Sequence, residues 1–543
     1  MSETIASKSL DPEDFFTTRK IMGESAFLQC AARAETSEKT IPDFLENLVT
    51  AVSDTCGQGI YPQYLQDIAF IEAHMVKAKH HPIPVPCFSE CYEINPNLAL
   101  FSSQWSGLAA VLDGNRKMPG KGGEQIMIWT DPIDSRICRK TAEKEDLLAL
   151  KMAAEGLTAA SVAESAGVRI SEINSVLFRA MAAGMITGPE PKIQRSFFTD
   201  PNPEDVSGDL GETAYTRPRV FALQWHLTNA CDLHCRHCYD RTPGPHLSLA
   251  SGIKILDDFA AFCQSHHLFG QVTFTGGNPL MHPQFLCLYQ AAADRGFVTG
   301  ILGNPAGKDE IDEITAIQPL SFFQVSLEGL EPHNDYIRGK GHFRRVISFL
   351  ELLAQKKVYT KVMLTLTRAN QDQVIPLGRY LQGRADQFVF NRLSLQGEGA
   401  ALEMADPGTY ADFLRTYIKA AQKYPVMGFK DNLFNGVFQE MEKPLFGGCT
   451  GFGCGAAFNF VSVLPTGEVH ACRKFDSPLG NLTRDSLTDI YHSSAARQYR
   501  TGPEDCLSCD LNRVCRGCLA SSRSTGLDIF VDKDPYCFKS APC

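Results

Sequence analysis

Nineteen cysteines, gathered mainly into two groups, constrain this 543-residue chain more than any other feature of its sequence. Three stand on one short stretch, Cys231-Asp-Leu-His-Cys235-Arg-His-Cys238, and eight run from Cys449 to Cys537 ahead of a terminal Cys543. The other seven are scattered. The first residues, MSETIASKSLDPEDFF, lack the basic-then-apolar order of a secretory signal. No apolar run reaches membrane-spanning length. Both observations point to a cytoplasmic protein with no membrane partner. In a reducing cytoplasm dense cysteine reads as metal ligation rather than disulfides. Two separate metal-binding regions are the simplest reading.

The rest of the chain has to supply scaffolds for them. Its length is too great for one ordinary core, so several domains are expected. A content of 44% hydrophobic and 21% charged residues is that of a globular protein. Lys and Arg number 52 against 62 Asp and Glu, a net charge of −10. An acidic surface repels phosphate backbones, so no nucleic-acid partner is expected.

Residues 1–94 form a helical N-terminal region, with apolar positions at helical spacing in Phe44–Val52 and Tyr64–Val76. Short β-like runs follow at Leu98–Phe101, Leu108–Leu112 and Gln125–Trp129. Three amphipathic helical patterns come next, at Glu145–Glu155, Thr158–Ser165 and Ser171–Ala183. Strands followed by short helices make 95–190 a winged-helix module. A polar, Pro-rich linker, Gly188–Arg217, marks a boundary. Beyond it Val220–Leu227, Gln271–Thr275, Val298–Leu302, Phe322–Leu327, Tyr359–Thr367 and Gln387–Leu395 read as strands. Helical stretches such as Phe285–Arg295, Phe343–Gln355 and Asp372–Gln382 lie between them. Six β/α units in series predict an α/β fold over 217–400, a partial (β/α)6 TIM-type barrel with its site at the C-terminal strand ends. Residues 401–444 read as a connecting helical segment. Residues 445–543 are rich in Gly and Cys and short on apolar periodicity, the mark of a Cys-rich domain that metal must hold together, and the resemblance described below implies that this is an iron–sulfur domain.

The first cysteine group follows directly on the first barrel strand. Three thiolates on one tight loop can ligate three irons of a cubane and leave the fourth open, as a catalytic cluster needs. A zinc knuckle is the alternative, with His234 and His237 as cramped candidates for the missing ligand. The spacing resembles the CxxxCxΦC signature of the radical S-adenosylmethionine (radical SAM) superfamily, with His237 at the usually aromatic position. In relatives that side chain packs near the adenine.

The resemblance continues through the barrel. Thr275-Gly276-Gly277-Asn278-Pro279 ends the second strand, where relatives have GGEP. The glycines would let backbone approach the methionine amino group. Asn278, in place of the usual Glu, would keep an acceptor oxygen and lose the charge. Asn304 ends the third strand, a polar position in many relatives; a plain turn residue is the alternative. Gln324-Val-Ser-Leu-Glu-Gly329 resembles the fourth-strand segment that reaches the ribose, with Ser326 and Glu328 on one face by strand alternation. Arg338, in a stretch matching HDxxRG, would pair with the cofactor carboxylate. Thr365, Thr367 and Asn370 resemble the fifth-strand TxTxxN pattern. The cofactor contacts so implied are His237, Gly276, Gly277, Asn278, Asn304, Ser326, Glu328 and Arg338. The implied chemistry is reductive cleavage of S-adenosylmethionine at a [4Fe–4S] cluster held by Cys231, Cys235 and Cys238. The 5′-deoxyadenosyl radical so formed would abstract a substrate hydrogen. No residue is singled out as catalytic acid or base.

The second group resembles the SPASM domain. Cys454 is followed by twelve residues, Gly467, four more and Cys472. Later come Cys506-x2-Cys509-x5-Cys515-x2-Cys518 and, eighteen residues on, Cys537. Relatives place three residues, not two, before the equivalent of Cys518. Cys449 supplies the upstream ligand of members with fully ligated clusters. By the family's interleaved arrangement, Cys449, Cys454, Cys472 and Cys518 would hold one auxiliary [4Fe–4S] cluster, and Cys506, Cys509, Cys515 and Cys537 a second. Two zinc ribbons share the CxxC look and are the alternative. Cys87 and Cys91 are spaced for metal but read as structural. Cys30, Cys56, Cys138, Cys263 and Cys287 read as buried small hydrophobes.

Radical SAM enzymes with SPASM extensions act mostly on peptides or proteins. Leu147–Ile186 resembles the helical half of the PqqD-like peptide-recognition domain, to whose sheet edge a precursor's leader adds a strand. Only Lys151, Arg169 and Arg179 are basic in Glu145–Ile186, too few for a DNA-binding face. The TGGNP variant and long N-terminal extension resemble the thio(seleno)oxazole-modifying (selenobiotic) peptide maturases. The resemblance implies modification of a ribosomally made precursor peptide (RiPP) at Cys or a neighbour, by C–S bond or heterocycle formation. An electron donor such as ferredoxin or flavodoxin would serve it. A sulfatase-maturating enzyme is the rival, disfavoured because Arg473 follows Cys472 where those members carry an Asp base. A non-catalytic carrier with three clusters is a reading of another class.

Overall fold

The computed structural model describes residues 14–34, 41–80, 83, 89–115, 118–132, 135–195, 215–241 and 244–539. Cys87, Cys543 and most of the Pro-rich linker lie outside the described residues. The chain divides into two compact units, Met1–Val162 with Ser175–Glu190, and Ala163–Asn174 with Pro191–Cys543. Among the described residues no helix is long and apolar enough to cross a membrane.

The first unit opens with helices α1 (Phe16–Met22), α2 (Glu24–Ala34), α3 (Ile41–Gly57) and α4 (Leu65–His80). On α3, Leu45, Leu48, Val52 and Cys56 recur at helical spacing and form one buried stripe against Phe27, Leu65 and Ala69. A short pair, β1 (Glu93–Ile94) with β5 (Ile186–Thr187), brackets β2 (Ala99–Ser106), α5 (Leu108–Leu112), β3 (Gly120–Thr130) and β4 (Ile137–Thr141). Strands β2, β3 and β4 make an antiparallel sheet, followed by α6 (Lys144–Glu155), α7 (Ala159–Ala166) and α8 (Ile170–Ala182).

Two features differ from expectation. Leu108–Leu112 is a helix, because Gly107 turns the chain at φ 87° and the Glu124 carboxylate accepts the Leu108 N–H at 2.9 Å. Five apolar residues in a row do not separate buried helix from strand. The strand β4 shows no apolar alternation, since its residues are all partly or fully exposed.

In the second unit six parallel strands follow one another: β6 (Val220–Thr228), β7 (Phe269–Gly276), β8 (Val298–Leu302), β9 (Phe322–Ser326), β10 (Thr360–Leu366) and β11 (Gln387–Arg392). Helices α9 (Leu249–Ser265), α10 (Phe285–Asp294), α11 (Lys308–Ile317), α12 (Glu331–Arg338), α13 (His342–Gln355) and α14 (Val374–Leu381) connect them. Trp225, Phe259, Phe274, Leu288, Phe323 and Phe349 share the resulting core. Parallel strands buried this way read as near-continuous apolar runs, which is why they were legible. Their C-terminal ends fall on one side of the sheet.

After α15 (Pro407–Lys423) and α16 (Phe434–Glu440) the chain returns to this sheet. The strand β12 (Phe460–Val463) pairs parallel to β6, with Phe460 opposite Ala222 and Val463 opposite Trp225. The strands β13 (Glu468–His470) and β14 (Pro478–Asn481) extend it antiparallel to nine strands. Val461, Val463 and Val469 are almost wholly buried there. The Cys-rich region therefore shares the barrel's apolar core, in addition to any metal it needs. Strands of three and four residues are too short to show a period. The last helices are α17 (Leu487–His492), α18 (Ser494–Thr501) and α19 (Leu519–Ser524).

Candidate active site

A cavity of about 420 Å³ opens at the C-terminal ends of β6–β11. Cys231, Cys235 and Cys238 line it, as do His237, Gly276, Gly277, Asn304, Ser326, Thr365 and Arg338. Cys449, Cys454, Cys472 and Cys518 line the same cavity from the C-terminal region.

The three-cysteine loop begins where β6 ends. Leu233, 8% exposed, anchors it, and the Arg236 N–H donates to the Ile337 carbonyl at 3.0 Å. Donors already face its sulfurs: the Leu233 N–H and Asn304 Nδ2 each lie 3.4 Å from Cys231 Sγ, and Arg338 Nη1 lies 3.6 Å from Cys235 Sγ. Burial pushes the Cys235 thiol up, and the Arg338 charge opposes it.

Gly276 and Gly277 serve the scaffold first. A Cβ on either would stand 2.3 Å from a carbonyl oxygen, that of Thr228 or of Ala230. Only glycine lets the end of β7 cross so closely over the start of the cysteine loop, and Gly276 also takes φ +140°.

Two of the expected cofactor contacts, Asn278 and Glu328, are not among the residues lining the cavity. Asn278 does not line the cavity; its Oδ1 accepts the Leu280 N–H at 3.3 Å and its Nδ2 donates to Asp232 Oδ1 at 3.0 Å. The same Asp232 oxygen accepts Asn304 Nδ2 at 2.6 Å. The carboxylate at this corner thus belongs to Asp232, inside the cysteine loop, a residue the sequence reading passed over. An acidic side chain directly after the first ligand was the available signal.

Glu328 is 1% exposed and sits behind the wall. Its Oε1 accepts Arg338 Nε at 2.8 Å and Nη2 at 2.6 Å, and its Oε2 accepts the Thr365 N–H at 2.8 Å. Burial alone would raise this carboxyl, but the charges of His237 and Arg338 hold it at about 2. Arg338 is therefore already paired within the protein, because an unpaired buried carboxylate is too costly. Its Nη1 remains toward the sulfurs. Asn370 ties the ends of β9 and β10 together, donating to the Glu328 and Thr365 carbonyls at 3.0 Å each.

The remaining thiols form a second, separate set. Cys506, Cys509, Cys515 and Cys537 line a smaller cavity of their own. The shortened Cys515–Cys518 spacing is absorbed by two consecutive left-handed residues, Arg516 and Gly517, each at φ 60°. A Cβ on Gly517 would meet Asp534 Cβ at 2.5 Å. Asp534 accepts the Cys518 N–H at 2.6 Å and binds Arg392, at the end of β11, through both oxygens at 2.7 Å. Asp431 takes the third guanidinium edge at 2.7 Å. This buried Arg392–Asp431–Asp534 cluster joins barrel to C-terminal region and was not legible beforehand, since its members stand far apart in sequence. The other cysteines are simpler. Cys30, Cys56 and Cys263 are buried; Cys138 is partly buried; Cys91 and Cys287 are exposed, Cys287 because it falls on the outer face of α10.

The donor chemistry fits iron–sulfur clusters. Thiols surround two cavities, and His237 Nδ1 is buried without a partner beside the first. Burial holds the Cys454 thiol at about 11 and those of Cys472 and Cys506 at about 12, so loading iron must displace protons.

Residues 225–380 match the radical SAM superfamily, and residues 454–519 match the iron–sulfur cluster-binding domain SPASM. The mycofactocin maturase MftC of Mycobacterium ulcerans is 30% identical over 338 residues, 58% of this chain and 87% of that protein. The chain belongs to the radical SAM superfamily. Its cofactors are accordingly S-adenosylmethionine and iron–sulfur clusters, catalytic and auxiliary. The AdoMet-dependent heme synthase of Methanosarcina barkeri is 23% identical over 355 residues, 59% of this radical SAM chain and 96% of that protein. SuiB of Streptococcus suis, solved with its precursor peptide SuiA, shares the fold at a TM-score of 0.50 and 16% identity, over 76% of this enzyme and 96% of that chain.

Proposed function

We propose that this radical SAM enzyme matures a ribosomally made precursor peptide, with Cys or a neighbouring residue as the target and a C–S bond or heterocycle as the product. The observation that carries the reading is the shared cavity, bounded by the three-thiol loop and by Cys449, Cys454, Cys472 and Cys518. A substrate segment seated there faces both cysteine groups. In support, MftC carries the name maturase, and SuiB was solved with a precursor peptide.

Cys231, Cys235 and Cys238 would hold the catalytic cluster, and the two sets of four would hold the auxiliary ones. With cluster and cofactor bound, the site would supply reductive radical chemistry for hydrogen abstraction from the substrate. The chain's own part is to position: Asn304 and Arg338 at the cluster sulfurs, Ser326 and Thr365 on the wall, His237 at the adenine side. The β2–β4 sheet with α6–α8 receives the leader, and a cytoplasmic ferredoxin or flavodoxin delivers the electron. Neither nucleic acid nor membrane takes part. The selenobiotic type is the subclass favoured by Thr275–Pro279. A sulfatase-maturase role is disfavoured, because Arg473 is ion-paired with Asp240 where a base would be needed.

The test is anaerobic reconstitution with iron and sulfide, then dithionite, S-adenosylmethionine and any short Cys- and Gly-rich peptide that a neighbouring reading frame is found to encode. About twelve irons, release of 5′-deoxyadenosine and a mass change in the peptide are expected. Full iron without 5′-deoxyadenosine would make the protein a carrier; cleavage with a sulfatase but no peptide as partner would overturn the substrate.

A further inference from the structure

Among the described residues, the second unit buries two cations that no carboxylate pairs with. Arg195 is 2% exposed and Arg516 4%. Arg195 Nη2 donates to the Cys454 carbonyl at 2.6 Å and Nη1 to that of Phe452. Its guanidinium lies 4.1 Å over the Phe458 ring, and its Nε is buried without a partner. Arg516 donates only to carbonyls, of Asn512 at 3.1 Å, Thr501 at 2.9 Å and Arg500. Arg338, Arg392 and Arg473 stand in contrast, each ion-paired with a carboxylate.

Carbonyl dipoles orient a guanidinium but do not neutralise it, and proteins seldom bury a bare charge. Arg195 holds the Cys454 carbonyl, and Arg516 lines the smaller cavity together with Cys506, Cys509, Cys515 and Cys537. Cys454 lines the larger cavity and Cys506 the smaller. Arg516 stands between Cys515 of one set and Cys518 of the other, held at φ 60° where a non-glycine residue is strained. Neutral thiols balance nothing. A cubane with four thiolates carries net negative charge, and gains one more when reduced.

We propose that Arg195 and Arg516 are the buried counter-charges of the auxiliary clusters, Arg195 for the Cys449/Cys454/Cys472/Cys518 set and Arg516 for both sets. They keep both reduction potentials high, because a nearby cation favours the more negative, reduced state. This inference rests on the ligand assignment above and not on the identity of the substrate.

Redox titration followed by EPR tests it, in full-length protein carrying Cys231→Ala, Cys235→Ala and Cys238→Ala so that only auxiliary signals are read. Arg516→Met should shift both couples toward the oxidised form by tenfold or more, about 59 mV for one electron. Arg195→Met should shift one couple. Arg516→Lys and Arg195→Lys, which keep the charge, should move the equilibrium less than about threefold. Unmoved potentials in fully loaded Met variants would overturn the proposal. If the Met variants load poorly, thermal unfolding decides. The cluster-free Met variants should melt no lower than cluster-free parent, while any loaded fraction melts lower. Equal losses in both forms would make the arginines mere carbonyl clamps and overturn the counter-charge role. Fewer than about eight irons in the parent would instead count against the ligand assignment.

Discussion

Cys231, Cys235 and Cys238 come from one loop, and donors to the first two sulfurs come from the loop itself (Leu233), from beyond β8 (Asn304) and from the end of α12 (Arg338). The eight C-terminal thiols are gathered from across the region between Cys449 and Cys537, and the two sets interleave along the chain. The first site is local in sequence and can be written as a motif. The second is assembled by tertiary structure, through the β12–β14 extension of the barrel sheet and the Arg392–Asp431–Asp534 cluster. A local site fails when a ligand is removed; an assembled one fails also when its frame is disturbed.

The largest effects should separate the two groups by chemistry. Replacing Cys231, Cys235 or Cys238 with Ala should abolish 5′-deoxyadenosine formation, measured by chromatography after anaerobic reduction. Replacing Cys537 should leave uncoupled cleavage within about tenfold of the parent and reduce product by about a hundredfold or more. Equal losses would erase the distinction between catalytic and auxiliary groups.

Frame and ligand can be separated in turn. Arg392→Met leaves Asp431 and Asp534 buried without their cation, a loss of about 3–5 kcal/mol in denaturant unfolding. Gly517→Ala keeps every thiol but adds a Cβ where none fits, and should reduce iron content by one cluster. An unchanged iron content would show that the turn before Cys518 does not set the ligand's place.

Glu328 sharpens the first site. Its folded value of about 2 lies below the unfolded carboxylate value of about 4.3. Its contribution to stability is therefore complete above the unfolded value and is lost as pH falls through the folded one. Urea unfolding between about pH 5 and pH 2 should show that slope, and Glu328→Gln should flatten it.

The smallest effect is expected at Asp232, whose oxygen takes two amide donors. Asp232→Asn should weaken S-adenosylmethionine binding by about tenfold, near 1.4 kcal/mol, in calorimetry on loaded protein. No change would mean that this carboxylate only shapes the loop.

The parallel strands were readable in order and nearly to the residue, because each is a compact apolar run between glycine-rich turns. Leu108–Leu112 misled, since the same composition suits a buried helix once Gly107 and Glu124 supply its start. The glycines of Thr275-Gly276-Gly277 were recognisable, but their service to a backbone crossing was not. Glu328 and Arg338 were each legible as polar residues of the barrel mouth. That they satisfy one another depends on the meeting of β9 and α12, which no spacing encodes.

By itself, then, the sequence determined that three thiols share a loop after a parallel strand and that eight more lie in a Cys-rich region beyond the barrel, because those relations are short in sequence or repeat with a period. Only the tertiary structure decided which carboxylate holds which arginine and where Cys518 points. It alone revealed two arginines buried with carbonyls and, among the described residues, no carboxylate. Charge balance in a buried site is a property of the volume around it, and that volume is filled from every part of the chain.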